Sequence, residues 1–521
     1  VVRSLVRQDE ARTADAYARG LWVSTTLADA LAAAAHDEPD RVLLIDGEIA
    51  LTARELHERA RALAMQLGDW MPAGSVVSFM LPNWYEAAII YLGATLAGMA
   101  VNPILPSLRD RELCFILDDA QSRAIFIPAE FGNHDYAAML TRVCSRMESP
   151  PHVVVLRGDP GPHRAFDSLP AAADRALPAL DPDDIRMIMY TSGTTGRPKG
   201  VLHSHNSIHA LIRQLHEHWM IDPGDTFLVP SPIAHIGGSI YAFECPLLLG
   251  STAVLMQRWN AEAGVASMTA NGCTHMAGAT PFLEQLLGAA EQAGTRLPDL
   301  KVFICGGASV PPSLIRRASD YFERALVSRV YGSTEVPVTT VGSLAPRSVE
   351  HAAETDGRPG IAEVRLVSGE IRARGPQMLR GYLHPEDEIE SFDEDGFFRT
   401  GDLGRWVDGD YLQVTGRAKD LIIRNGENIS PKEVEDILVG QLGITEAAVV
   451  GLPDDRTGER ACAVLVTADG HRPDVAELGR VLAEHGLARF KTPEQVEVWD
   501  ALPKNDAGKV LKHHIRATLK G

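Results

Sequence analysis

Apolar positions along the chain change their period several times, and the changes divide it into regions. TARELHERARALAMQL from Thr52 has apolar residues at helical spacing, with a capping Thr and Glu55 three residues on, so the spacing predicts a capped amphipathic helix. The run Ala87 to Val101 (AAIIYLGATLAGMAV), bounded by Glu86 and Asn102, is apolar on every side. It falls short of the ~20 residues of a spanning helix and reads as a buried one. Short β-like runs (Val76 to Leu81, Ala124 to Ile127, His152 to Leu156) alternate with helical patterns, which predicts an α/β domain. No internal repeat is visible.

From Glu363 the texture turns to hairpins. EVRLV and EIRARG flank Ser368-Gly369, and YLQVTG follows Asp408-Gly409, predicting a β-rich subdomain. After GRAKDLII, mixed helix and strand patterns return for roughly a hundred residues, enough for a small α+β domain. The expected division is 1–418 and 419–521, with the boundary at Lys419. A length of 521 residues also argues for more than one domain.

Composition narrows the function classes. A formal charge of -19 disfavours a nucleic-acid surface, which needs clustered Lys and Arg. Cys114, Cys144, Cys245, Cys273, Cys305 and Cys462 are scattered without a CxxC pair, so neither zinc nor a disulfide framework is indicated and a reducing cytoplasm is expected. The amino-terminal segment VVRSLVRQDEARTADAY has no long apolar core and is not read as a signal peptide. His203, His205 and His209 lack a nearby acid or Cys set and read as solvated residues at a helix start.

The chemistry concentrates in YTSGTTGRPKG, Tyr190 to Gly200. A strand-like run enters a short loop holding Thr191, Ser192, Gly193, Thr194, Thr195, Gly196 and Lys199. Glycines let backbone N–H groups approach phosphate oxygens, hydroxyls add donors, and Lys199 adds charge. The order GxxxxGK[ST] is absent, which disfavours an ordinary P-loop nucleotidase. By composition alone such a cluster is a solvated turn.

The eleven-residue string is more specific than its composition. It resembles the signature loop of the adenylate-forming superfamily of acyl- and aryl-CoA ligases, adenylation domains and beetle luciferases, and the resemblance continues in order from about Leu27 to the carboxyl end. It implies a large domain of α/β sheets with a β-rich subdomain, and a small mobile carboxy-terminal domain. CGGASVPP implies main chain at Gly306, Gly307 and Ala308 bordering adenine. In YGSTE it implies Tyr331 packing on adenine beside Gly332, Thr334 at the α-phosphate and Glu335 holding Mg²⁺. Asp402 in RTGDLG corresponds to the ribose-binding carboxylate, Arg417 in GRAKD to a nucleotide-binding fork, Lys509 in PKNDAGK to the catalytic lysine and Lys419 to the hinge. Thr195 and Lys199 belong with these catalytic residues. His235 in PSPIAHIGG falls beside the acyl carboxylate, with Gly237, Gly238, Gly278 and Gly307 giving room for a ring system; Asn425, where many members have Gly, and Gly426 fall in the pantetheine channel.

The activity implied is ATP- and Mg²⁺-dependent activation of a carboxylic acid, then transfer to CoA. The acid is expected to be medium-chain, alicyclic or polycyclic, since PIAHIGG and the Met80 to Leu113 segment look closest to cyclohexanecarboxylate-type ligases. Two alternatives stand beside it: an acyl-AMP ligase loading a carrier protein, and a non-catalytic nucleotide-binding homologue. The expected partners are the acid, ATP and CoA, with no nucleic acid and no membrane span; a homodimer is compatible.

Overall fold

The computed structural model describes residues 9–169, 176–191, 197–307, 310–345, 348–424, 427–454, 456–468, 470–505 and 508–520. Ser192, Gly193, Thr194, Thr195, Gly196, Ala308, Asn425 and Gly426 lie outside these segments.

Two large sheets organise the first three-quarters of the chain. In the seven-stranded sheet the order runs Leu326–Arg329, Val302–Cys305, His275–Gly278, Thr226–Val229, Thr252–Leu255, Val42–Asp46, Ile49–Thr52, parallel throughout except for the last pair. The eight-stranded sheet centres on the parallel strands Ile185–Thr191, Ala100–Pro103, Val76–Phe79, Ser122–Pro128 and His152–Leu156, and Lys199–Ser204 folds back antiparallel on Ile185–Thr191. One continuous core spans both sheets and the helices between them.

The helix Ala53–Trp70 begins with the reciprocal Thr52/Glu55 cap that the pattern predicts. The all-apolar run behaves differently from its reading. A helix occupies Tyr85–Leu96 and buries every residue from Glu86 on; Gly98 then turns the chain at φ +67°, and Ala100–Pro103 becomes a central strand. A parallel strand covered on both faces is as uniformly apolar as a buried helix, so periodicity could not find the junction.

The hairpin region forms a four-stranded antiparallel sheet, Glu363–Val367, Glu370–Arg374, Phe398–Val407 and Tyr411–Arg417. Both predicted turns have positive φ at their two central residues, Ser368 51° and Gly369 82°, Asp408 49° and Gly409 83°, the form whose twist suits a two-residue hairpin. Beyond it, Ile422–Arg424, Glu427–Ile429, Ile444–Asp454, Gly458–Thr467 and Gln495–Val498 make a sheet of their own, with separate apolar clusters under the helices Pro431–Leu438 and Val475–Glu484 and against Lys512–Lys520. The whole is mixed α/β, with a large amino-terminal part and a smaller carboxy-terminal one. No helix among the described residues is long and apolar enough to cross a membrane.

Candidate active site

Four neighbouring parallel strands of the seven-stranded sheet deliver candidate residues from their carboxyl ends, where ligands gather in α/β sheets. Leu326–Arg329 runs into Tyr331, Val302–Cys305 into Gly306 and Gly307, His275–Gly278 ends on Gly278, and Thr226–Val229 leads to His235. Register holds them level: Cys305 pairs with Arg329 and with Gly278, Val330 N–H donates to Cys305 O at 3.0 Å, and Gly306 N–H donates to Gly278 O at 3.1 Å. Segments some hundred residues apart in sequence thus share one rim.

Asp402 is the most completely built member. Its carboxylate is 7% exposed and accepts Tyr331 Oη–H at 2.7 Å on one oxygen and Arg417 Nε at 2.8 Å on the other. Asp402 and Arg417 are cross-strand partners in the hairpin sheet, which explains their fifteen-residue separation. A carboxylate offers about four acceptor positions. Tyr331 and Arg417 take two, leaving two, the number a cis-diol would use. The Tyr331 hydroxyl is pushed well above its usual range by burial and by Asp402, so it stays a donor. Its N–H donates to Thr340 Oγ1 at 2.8 Å. Gly332 is a packing position, since a Cβ there would lie 2.6 Å from Val338 N.

Lys509 lies within electrostatic reach of this pair. Burial lowers its pKa from the usual lysine range, the Arg417 charge lowers it further, and Asp402 and Asp420 oppose the shift. The turn before it rests on the large part: a Cβ at Gly508 would sit 3.3 Å from Pro281 Cγ. Lys419 is exposed in the short turn that follows Arg417.

At the mouth of the phosphate loop, Thr191 and Lys199 pair across the hairpin. Lys199 Nζ is 3.6 Å from Asp387 Oδ1 and 5.1 Å from the centre of the Tyr382 ring, whose hydroxyl donates to Glu335 Oε1 at 3.2 Å. Arg197 Nη2 donates to both carboxylate oxygens of Asp387, at 2.9 and 2.8 Å. Asp119, from another helix, accepts Tyr190 Oη–H at 2.7 Å and pairs with His384 Nε2 at 2.8 Å. No group of three or more His, Cys, Asp or Glu able to hold a metal occurs among the described residues. The half-buried Glu335 carboxylate is a hard oxygen donor that could give one ligand to a divalent cation.

His235 precedes a short helix, Ile236–Ser239, and a π-turn, Ile240–Glu244. Its Nε2 is buried without a partner among the described residues, and burial lowers its pKa, so the ring is neutral. Asn83 fixes the segment before it: its amide donates to Val229 O at 3.0 Å and Ser231 O at 2.9 Å, and its Oδ1 accepts Ile233 N–H at 3.1 Å. Tyr382, Asp387, Asp119 and His384 belong to no sequence motif, and Asn83 and Arg197 have no role assigned within theirs, because each matters through a partner distant along the chain.

Two sequence expectations need correction. Gly237 and Gly307 face open space, but a Cβ at Gly238 would lie 2.1 Å from Pro232 O and one at Gly278 2.7 Å from Phe282, so these two are close-packing positions and leave no room for a ring system. His203 and His205 are 0% and 7% exposed, and His209, half-buried, bonds Leu21 O at 3.1 Å; none is solvated. His203 Nε2 bonds Thr334 O at 2.8 Å, tying the strand after the phosphate loop to the YGSTE segment, and burial pushes its pKa down to about 4.

The chain matches the AMP-binding enzyme family over residues 31–383 and the AMP-binding enzyme C-terminal domain over residues 433–509. It is 32% identical over 531 residues to a medium-chain fatty-acid–CoA ligase of Escherichia coli, covering 98% of this chain and 93% of that one. It is 34% identical over 515 residues to a Rhodococcus jostii CoA ligase for a methyl-dioxo-octahydroindenyl propanoic acid, covering 95% and 99%. Among solved structures, ATP-bound MatB from Rhodopseudomonas palustris superposes with TM-score 0.81 at 26% identity, covering 95% and 99%, and o-succinylbenzoate CoA synthetase from Bacillus subtilis with its acyl-adenylate superposes with 0.82 at 25%, covering 96% and 99%. The chain belongs to the AMP-binding enzyme family of adenylate-forming enzymes and is an acyl-CoA ligase.

Proposed function

We propose that the protein activates a carboxylic acid by attack of R–COO⁻ on the α-phosphorus of ATP, with loss of pyrophosphate, and then passes the acyl group to the CoA thiol with loss of AMP. Oxide is a hopeless leaving group for a thiol attack, whereas AMP is a competent one. The observation that carries the reading is Asp402, with two acceptor positions filled by Tyr331 and Arg417 and the Lys509 charge within electrostatic reach. That arrangement suits a ribose next to a cation.

In the first step two anions meet, and Lys509 supplies the positive charge between them; in a half-buried site that charge is less screened than in water. Tyr331 would cover adenine, Gly306 and Gly307 would border it, Thr334 would contact the α-phosphate, and Lys199 the departing phosphates. Glu335 would hold Mg²⁺, which neutralises phosphate charge when bound. Neutral His235 would donate its orphaned Nε2–H to the acyl carboxylate. For the second step the part after Lys419 would rotate, carrying Lys509 away and bringing the Asn425–Gly426 loop to the thiol. The division at 418/419 and the cytoplasmic setting belong to the same proposal.

The acid is proposed to be medium-chain, alicyclic or polycyclic. Support comes from the fatty-acid and fused-ring names of the relatives and from the open space at Gly237 and Gly307. A panel of such acids with ATP and Mg²⁺, read by pyrophosphate release and mass detection of acyl-AMP and acyl-CoA, tests it. Acyl-AMP that CoA never accepts would move the protein to the carrier-loading class, and no adenylate from any acid would favour the non-catalytic one. Lys509→Ala is expected to abolish adenylation and largely spare thioester formation from supplied acyl-AMP; equal loss of both would refute the division of labour.

A further inference from the structure

The two cations flanking the phosphate loop are not held alike. Arg197 sets its Nη2 between the two carboxylate oxygens of Asp387, at 2.9 and 2.8 Å, and its Nη1 stands 3.9 Å from Asp119. Lys199 reaches the same Asp387 only at 3.6 Å, with its carbonyl at 3.5 Å, and leans on the Tyr382 ring. Asp387 and Asp119 side chains are each 9% exposed and Lys199 17%, so the contact between Asp387 and Lys199 is only weakly screened, whereas Arg197, 38% exposed, is screened more. Asp387 sits in a 3-10 turn, Pro385–Glu388, whose Asp387 carbonyl accepts Ser391 Oγ–H at 2.6 Å; the carboxylate is thus presented from a pinned backbone.

The geometry points to Asp387 as a positioning residue that serves as the exchangeable counter-ion of Lys199. It holds the ammonium at the loop mouth before the triphosphate arrives, yields it to the phosphates, and takes it back as pyrophosphate leaves. Arg197, whose Nη2 sits between both carboxylate oxygens, keeps Asp387 in place through the exchange. Competition is the physical basis: an anion can displace Asp387 from Lys199 across a 3.6 Å contact more readily than from Arg197, whose Nη2 lies at hydrogen-bond distance from both its oxygens. Without the carboxylate, Lys199 would lose its acidic partner and Arg197 would keep only the longer contact to Asp119, so both would present more charge to any polyphosphate. Pyrophosphate, which concentrates its charge and has no adenosine contacts, would gain most.

The inference rests on the ligase reading for its place in turnover, but its test does not require the acid to be known. Magnesium pyrophosphate is titrated calorimetrically into the wild-type protein, Asp387→Asn and Asp387→Glu. Asp387→Asn is expected to bind pyrophosphate about tenfold more tightly, the size expected from removing one carboxylate near a shared ammonium in a partly buried site. Asp387→Glu keeps the charge and is expected to stay within about threefold of wild type. Where an acid substrate is in hand, Asp387→Asn lowers kcat and the pyrophosphate inhibition constant while the KM for the acid is unchanged. Unchanged or weaker pyrophosphate binding by Asp387→Asn overturns the proposal, as does equal tightening by Asp387→Glu, which stands as the test if the Asn variant does not fold. Failure of every acid to yield adenylate, with the pyrophosphate shift intact, would reject the ligase reading and leave the counter-ion standing.

Discussion

Replacing Asp402 by Asn changes one atom and tests the centre of the site. In the wild type each carboxylate oxygen takes one donor, Tyr331 Oη–H and Arg417 Nε. In the variant one oxygen becomes an NH₂ that must face either group, and a guanidinium cannot accept. The amide therefore turns its NH₂ to Tyr331, whose hydroxyl can rotate to accept, and Arg417 keeps a weaker bond to a neutral oxygen. Arg417 is about half exposed (48% of its side chain), so its share is discounted for screening, and the loss of stability should be ~1–2 kcal/mol. The nucleotide pays more directly: the oxygen positions left for the ribose diol fall by half and lose their charge, a loss of about 1.5–3 kcal/mol, or roughly 10- to 100-fold in ATP affinity. Thermal melting gives the first quantity and titration with ATP the second. Tyr331→Phe is the companion, keeping the ring and the carboxylate; it should lower stability by about 1 kcal/mol and shift ATP affinity less than Asp402→Asn. ATP binding by Asp402→Asn within twofold of wild type would refute the assignment of Asp402 to the ribose.

Gly416 has φ +153°, and a Cβ there would lie 2.7 Å from Ser430 Oγ, which donates to Thr415 O across the Lys419 turn. Gly416→Ala should cost about 1–3 kcal/mol in this arrangement and slow adenylation more than thioester formation; equal slowing would show that the contact does not distinguish the two steps. Gly238→Ala forces a methyl against Pro232 O and should destabilise the fold by ~1–3 kcal/mol or more, read by urea denaturation, whereas Gly237→Ala should be tolerated. His203 is neutral when folded, with its pKa about 4 against 6.5 in the free side chain. Its contribution is therefore complete above pH 6.5 and is lost as pH falls towards 4, because the unfolded chain binds the extra proton there. His203→Gln should flatten that acid limb by up to ~1.4 kcal/mol per pH unit, and an unchanged slope would place the proton uptake elsewhere.

The local devices and the family are legible in the amino-acid order alone. The Thr52/Glu55 cap, the Ser368-Gly369 and Asp408-Gly409 turns and the strand-helix alternation are all consequences of neighbours within a few residues, so a linear reading reaches them. The motifs from Tyr190 to Lys509 are legible because each is a contiguous string. Contacts over long separations emerge only in the folded chain. It decided where the run from Ala87 to Val101 breaks into helix and strand, since burial on both faces erases the period that would mark the junction. It also decided that Gly238 and Gly278 are close-packing positions, that His203 is buried against Thr334, and that Asp387 stands between Arg197 and Lys199. A partner nearly two hundred residues away leaves no mark on local spacing, and the exchangeable charge at the loop mouth exists only once the sheet edge brings the two segments together.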